Sequence, residues 1–315
     1  MDRIVSVHLD ANESVMFARD LEYIKKKTYD TRFPELSATQ HIPVSFEAGP
    51  GAETITWRSF TELGMAKIIA NYADDLPRAD VKGVEHTTKV KSLGSSYGYS
   101  IQEIRASQMA GKRLDTRKAA SARRMIDQKM NKLGWTGDTE AGITGLINNA
   151  NVTRVAAPND GTGAATTFAS KSPAFILRDL NALVNGIVEL TNGVELPDTL
   201  LLPLEQFNYL SVTPYSSYSD KTIMTYFKET NQYIKNVYSV LELKDNGVGV
   251  GGVAAGADIA IAYRKDLDKL SFEIPIPFEQ LNPQERNLEQ VVNCHARCAG
   301  VIVYYPLSIA ILEGI

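Results

Sequence analysis

Gly94-Ser95-Ser96-Tyr97-Gly98 is the sharpest match in this sequence to a reaction motif, because it fits the G-x-S-x-G elbow that presents a nucleophilic serine. It stands between a strand signal and a helix start at Ile101, the context such an elbow requires. A serine hydrolase using Ser96 would also need an acid and then a histidine downstream. The sole downstream histidine, His295, falls in a strand-like run and not in a loop. No second glycine-rich segment upstream offers an oxyanion hole. These residues favour a glycine–serine strand end that leads into a capped helix.

Other candidate chemistry thins out in the same way. Cys294 and Cys298 are the only cysteines, in QVVNCHARCAGVIVYYP, a run rich in Val, Ile and Tyr that reads as one long strand. Four residues of strand span about 13 Å, beyond the roughly 7 Å between alpha carbons that a disulfide tolerates. Strand alternation turns His295 to the opposite face, so Cys294, His295 and Cys298 do not converge on zinc; buried structural thiols are expected. His8, His41 and His86 show no i, i+4 pairing. The glycine-rich GVGVGGVAAG from Gly247 lacks the lysine of a phosphate loop and precedes a strand, which predicts a mobile hairpin or surface loop. Asp74 and Asp75 sit in turn-rich NYADDLPRADVKG, where solvation explains them. No catalytic, cofactor-binding or metal site emerges, and the chain is not expected to be an enzyme.

The elements behind these residues are clearer. SVMFARDLEYIKKKTYD (14–30) has approximate helical spacing, and proline-bearing RFPELSATQHIPVS follows it, giving a short helix on an extended arm. From Glu53 the pattern changes to period two: Ile55 and Trp57 alternate with Thr54, Thr56 and Arg58, and Val84, His86, Thr88 and Val90 align on a second leg. A long two-stranded ribbon buries little of its own surface and needs another surface, such as another subunit's. Ser100 and Glu103 form a capping box. A second helix is predicted from near Asp115 to Gly134, with Ala119, Ala122, Ile126, Met130 and Leu133 on one stripe.

Lys112, Arg113, Arg117, Lys118, Arg123, Arg124, Lys129 and Lys132 oppose only Asp115 and Asp127 there, a local charge of +6. Composition alone favours a solvated outer face over a phosphate-binding one. Downstream, Ser172 and Pro173 open a helix that Gly193 closes, TLLL at 199–202 reads as a buried strand, and PLEQFNYL as a short helix beginning at Pro203. Strands follow at YIKNVYSVLEL, DIAIAY, KLSFEI and the segment ending in VIVYY. Because these elements do not repeat as βαβ units, the fold class is α+β with an antiparallel or mixed sheet.

The whole chain of 315 residues is 44% hydrophobic and can bury a large core. Its 33 Lys and Arg against 37 Asp and Glu give a net charge of −4, so any contact with nucleic acid must be local. No apolar stretch approaches the roughly 20 residues that span a bilayer, and MDRIVSVHLDANESV lacks the apolar run of a signal peptide, which predicts a cytosolic origin and no membrane partner.

GDTEAGITGLINN (137–149), directly after the basic helix, resembles the segment that follows the spine helix in major capsid proteins of tailed double-stranded DNA bacteriophages and in encapsulins, the HK97-like fold. The order of parts agrees over essentially the whole chain: an arm with RFPELSATQHIPVS, a two-legged excursion, a long helix, the Gly142-Ile143-x-Gly145-Leu146 turn, a mixed middle domain and a last strand running into YYPLSIAILEGI. The resemblance implies an N-terminal arm over 1–53, an E-loop over 54–92, a P-domain with the spine helix over 93–144, an A-domain over 145–284 and a C-terminal strand and tail over 285–315 that returns to the P-domain. It further implies self-assembly into pentamers and hexamers of an icosahedral head around double-stranded DNA, in the virion after assembly in the host cytoplasm. Portal, scaffold and decoration proteins are possible partners, and no cofactor is implied.

On this resemblance Arg117, Lys118 and Arg124 become candidates to face DNA or a neighbouring subunit. Gly64, Gly83, Gly94 and Gly98 become candidate hinges of the E-loop. The arm begins almost at Met1, so the chain is expected to be already mature or to use a separate scaffold. Lys67, Lys82, Lys89 and Lys91 lie in the E-loop region, but their spacing establishes no crosslink and none is predicted. An encapsulin-like compartment is the alternative that shares the fold; the length of arm and excursion favours the virus.

Overall fold

The structure, a computed structural model, describes residues 36–68, 76–111, 117–218 and 220–315. The helix expected over 14–30, the Asp74–Asp75 tip and the beginning of the basic run at Lys112, Arg113 and Asp115 lie outside the described residues. The chain proceeds through a one-turn helix α1 (Ala38–His41), a two-residue strand β1 (Val44–Ser45), β2 (Thr54–Leu63), β3 (Asp80–Lys89) and β4 (Lys91–Ser100). Helices α2 (Ile101–Met109) and α3 (Arg117–Trp135) are followed by β5 (Thr153–Ala156), α4 (Pro173–Leu190), β6 (Thr199–Pro203), α5 (Leu204–Val212), α6 (Ile223–Thr230) and β7 (Asn236–Val240). Seven strands complete it: β8 (Ile259–Tyr263), β9 (Leu270–Glu273), β10 (Ile276–Gln280), β11 (Gln284–Arg286), β12 (Glu289–Cys298), β13 (Gly300–Val303) and β14 (Ile309–Glu313).

A mixed five-stranded sheet, in the order β5-β14-β8-β6-β7, forms the centre. Its outer pairs, β5 with β14 and β6 with β7, are parallel; β8 runs antiparallel to both β14 and β6. The central strands are apolar at nearly every position because both faces are covered. Leu201, Ile259, Ile261, Tyr263, Ile309 and Ile311 face a core that includes α1 and the α3 stripe of Ala122, Ile126, Met130 and Leu133. Leu200, Leu202, Ala260, Ala262, Ala310 and Leu312 face α4, α5 and α6. Each fully buried Leu or Ile contributes about 1.5–3 kcal/mol, so this one sheet unites the two cores.

Residues 37–45 are tied to the body by polar as well as apolar contacts. Ser37 Oγ donates to Glu242 Oε2 at 2.8 Å and accepts from Trp135 Nε1 at 2.9 Å, while Asn131 accepts the Ala38 N–H at 2.8 Å and donates to the other Glu242 oxygen. β1 then adds in parallel to β9, which β13 flanks on the other side. His41, on the last turn of α1, is buried with its ring 5.0 Å from that of Tyr238. Burial, followed by the charge of Lys265 and only partly opposed by Glu242, holds its pKa below the ordinary 6.5. The unfolded chain therefore takes up this proton first. The stability due to neutral His41 is complete above about pH 6.5 and declines as the pH falls below it. The thermal midpoint is expected to drop between pH 7.5 and 5.5, and His41→Gln to flatten that drop; an unchanged slope in the variant would contradict the assignment.

Several boundaries differ from the sequence expectation; the strand expected over YIKNVYSVLEL spans only Asn236–Val240 and ends in a 3-10 turn at Leu241–Leu243. The C-terminal run is two strands in two sheets, broken at Ala299–Gly300, because Gly300 takes φ 82° and a side chain there would collide with the Thr144 carbonyl. Helix α3 passes through Gly134 to Trp135, and Gly137, at φ 66°, makes the turn. Pro203 closes β6, so α5 starts one residue later. No described helix is long and apolar enough to cross a membrane.

Candidate assembly interface

β2 and β3 form a ribbon paired residue for residue from Thr54↔Lys89 to Leu63↔Asp80. Its base is fastened: Trp57 stacks on His86 at 5.2 Å and meets Tyr304 edge-on at 5.9 Å. Ser59 and His86 are 3.1 Å apart, and Arg58 Nε donates to Glu85 at 3.3 Å. Beyond Ser59 the ribbon has no core. Phe60, Leu63, Met65, Ile68, Leu76, Val81 and Val84 are all exposed; within the paired strands Phe60 and Val81 share one face, and Leu63 and Val84 the other. The sequence located Trp57 on a strand, but nothing local marks Tyr304 as its distant anchor.

The four candidate hinge glycines have different surroundings. Gly64 adopts φ 156°, and a Cβ there would lie 3.1 Å from the Ala79 backbone. Gly83 leaves room for the Phe60 ring across the ribbon, at 3.0 Å from where a Cβ would be. Gly94 meets open space, and Gly98 is overlaid by the Glu289 side chain.

Gly94 and Gly98 both lie inside β4, which pairs with β12 over ten positions, from Lys91↔Cys298 to Ser100↔Glu289. Ser96 is therefore in mid-strand opposite Asn293 and not on the sharp turn that a nucleophile elbow needs. His295 lies opposite Gly94, and its Nδ1 is 4.0 Å from Glu279; among the described residues no hydrogen bond joins it to Ser96. Cys294 and Cys298 point from the other face of β12 into the core. Burial pushes the Cys298 thiol up to about 11, against a partial offset from the Gly300 N–H, so it stays protonated and inert.

At the end of β4 the capping box forms as expected, with Ser100 Oγ accepting from Glu103 N at 3.1 Å and Glu103 accepting from Ser100 N at 3.1 Å. Lys118, from the first described turn of α3, closes this junction. Its Nζ donates to the Gly98 carbonyl and to Glu103 Oε2, each at 3.0 Å, and lies 4.7 Å over the Tyr99 ring. The Lys118 ammonium, and then the Ser100 N–H, hold the Glu103 carboxyl below the usual carboxylate range. Other charges of α3 are also matched locally: Arg123 with Asp127 at 3.7 Å, and Lys129 with Asp138 at 2.8 Å. Arg117 is exposed and Arg124 half-buried.

The glycine-rich loop, read from sequence as a mobile surface segment, does cradle an anion, but one of this chain's own. Gly249 N and Val250 N donate at 3.0 and 3.2 Å to Glu313 Oε2, while Arg154 holds the other carboxylate oxygen. A second set joins buried Lys171 to buried Asp179 at 2.5 Å, with the more exposed Arg178 at 2.6 Å from the same carboxylate. The partners of Glu313 are brought together from separate parts of the chain and carry no spacing signal, whereas Lys171, Arg178 and Asp179 lie within nine residues of one another at the start of α4.

Comparison with known proteins agrees with this architecture. The family model of the major capsid protein matches residues 64–315. The capsid of Myoviridae phage XM1 superposes with a TM-score of 0.78 at 19% identity, covering 96% of this chain and 100% of that one. The capsid of an empty GTA particle gives 0.65 at 12% identity over 96% and 99% of the two chains. A virus-like particle from Pyrococcus furiosus gives 0.55 at 13% identity over 87% and 91%. No curated protein sequence matches. The architecture is the HK97-like capsid fold, and this chain belongs to the major capsid protein family.

Proposed function

We propose that the chain assembles with copies of itself into the pentamers and hexamers of an icosahedral phage head that encloses double-stranded DNA. The ribbon carries this reading. Its outer part exposes apolar side chains on both faces and has no core, so a surface outside the subunit must cover it. In this scheme residues 1–53 are the arm, 54–92 the E-loop, 93–144 the P-domain, 145–284 the A-domain and 285–315 the returning strand and tail. Gly64, Gly83, Gly94 and Gly98 accommodate the different bends of the two capsomer types. The shell is assembled in the host cytoplasm, where portal, scaffold or decoration proteins would join it, and it works through interfaces without catalysis or a cofactor.

Electron microscopy of the purified protein, combined with a nuclease-protection assay, tests the reading: large shells with protected DNA support it, and monomers or small cargo-filled shells refute it. Arg117→Gln with Arg124→Gln is expected to weaken DNA retention, with the salt dependence reduced by roughly one unit of slope per lost phosphate contact. Lys118→Gln is expected to act differently, lowering particle yield by releasing α2 from β4, because its ammonium already serves that junction. Unchanged yield and DNA content in the triple variant would remove the helix from assembly and packaging.

A further inference from the structure

β12 pairs with one edge of β4, and among the described residues no strand pairs with the other. Ile101 N donates to the Leu288 carbonyl at 2.9 Å in continuation of that ladder. The odd-numbered residues of β4 therefore aim their backbone groups at β12, and the even-numbered ones aim theirs away. Both ends of the free edge are closed. Val90 N donates to the Glu53 carbonyl at 2.8 Å, while Lys118 holds the Gly98 carbonyl and Glu103 accepts from Ser100 N. Between these ends Ser92, Gly94 and Ser96 are exposed, and among the described residues no hydrogen bond reaches their outward N–H and C=O groups. Beside this window a cleft of about 320 Å³ separates β4 from α3; Leu93, Met125 and Ile126 line it, and Met125 is 60% exposed.

We propose that this window receives residues 4–9 of a second copy of the chain as an added strand, an inference that rests on the shell reading. Those residues lie outside the described part of the chain and read Ile-Val-Ser-Val-His-Leu, a run rich in β-branched side chains. Alternation puts Val5, Val7 and Leu9 on one side and Ile4, Ser6 and His8 on the other. Leu93 and Tyr97 of β4 pack on the core that contains α3, so the apolar side of an added strand falls over the cleft and Met125. Its other side lies beside Ser92, Gly94 and Ser96, whose small side chains let a second backbone approach; at Gly94 even a Cβ would meet open space. The closed ends exclude longer occupants. β2, β3 and β4 of another copy each run for ten residues and would collide with Glu53 or Lys118, whereas residues 4–9 match the length of the window. Residues 10–35 extend at most about 3.3–3.6 Å each, roughly 90 Å in all, so they reach a neighbouring subunit. Main-chain bonds would hold such a strand, and the alternate side chains in the cleft would select it.

Hydrogen–deuterium exchange resolved to single residues tests the window. The Ser92, Gly94 and Ser96 amides are expected to exchange freely in unassembled subunits and at least about a hundredfold more slowly in shells. Val5→Asp with Val7→Asp is expected to abolish either that slowing or assembly itself. Copies carrying Val7→Cys, mixed with copies carrying Met125→Cys, are expected to give disulfide-linked dimers in shells. Ser96→Pro removes an N–H that the β4–β12 ladder does not use, so subunit melting should match the parent while the assembly concentration rises about tenfold. Fast exchange in wild-type shells, or slow exchange that the Val5 and Val7 substitutions leave untouched, would overturn the added strand and leave the shell reading standing. A disulfide that forms only when one chain carries both cysteines would overturn the second copy as its source. Failure of the wild-type chain to form shells would overturn the shell reading as well.

Discussion

Replacing Phe60 and Val81 together with aspartate is expected to give a folded subunit that forms no shells. The two side chains are 69% and 57% exposed and share one face of the ribbon, since Phe60 pairs with Gly83 and Val81 with Glu62. Neither belongs to either core, so far-ultraviolet circular dichroism and the melting midpoint should match the parent. Covering two such side chains contributes about 1.5–3 kcal/mol each, and every 1.4 kcal/mol is a tenfold change in association. Their loss therefore weakens each contact by roughly two to four orders of magnitude, before counting the cost of desolvating two new carboxylates. Sedimentation velocity and negative-stain microscopy supply the readout. Shells at parental yield would show that the outer ribbon is not covered in the assembled particle.

Glu313→Ala should destabilise the subunit itself, by about 3–5 kcal/mol in chemical denaturation. Glu313 is wholly buried in β14, and the Arg154 side chain beside it is only 12% exposed. Removing the carboxylate leaves a guanidinium with one partner fewer in a largely dry site and takes the acceptor from two loop amides, Gly249 N and Val250 N. Glu313→Gln keeps an acceptor oxygen and loses only the charge, so it should fall between the parent and Glu313→Ala. A Glu313→Ala subunit within 1 kcal/mol of the parent would mean that the glycine-rich loop is held by something else.

The ribbon and the loop mark where sequence reading succeeds and where it stops. Period two at Thr54–Arg58 and Val84–Val90 identified two strand legs, and of the α3 stripe Ala122, Ile126, Met130 and Leu133 are buried as its spacing requires while Ala119 is only half-buried. The capping box at Ser100 and Glu103 formed as its spacing predicted. Ser172 did precede a helix with Pro173 in its first turn, but its side chain makes no cap hydrogen bond. GVGVGGVAAG was legible as a loop, yet its anchor lies more than 60 residues away.

What the sequence determined by itself is local: which side of each helix and strand is apolar, where caps and turns fall, and that Cys294 and Cys298 share one strand face. Those properties follow from periods of 2.0 and 3.6 residues, which the chain carries in its own order. Only the tertiary structure decided that the G-x-S-x-G match is a flat length of strand, because β12 pairs along all of β4 and leaves no turn for an elbow. It also decided that Lys118 serves a junction, that Glu313 fills the glycine-rich loop, and that Tyr304 and Trp57 meet. Pairings between distant segments depend on which surfaces pack together, and no local spacing records that choice.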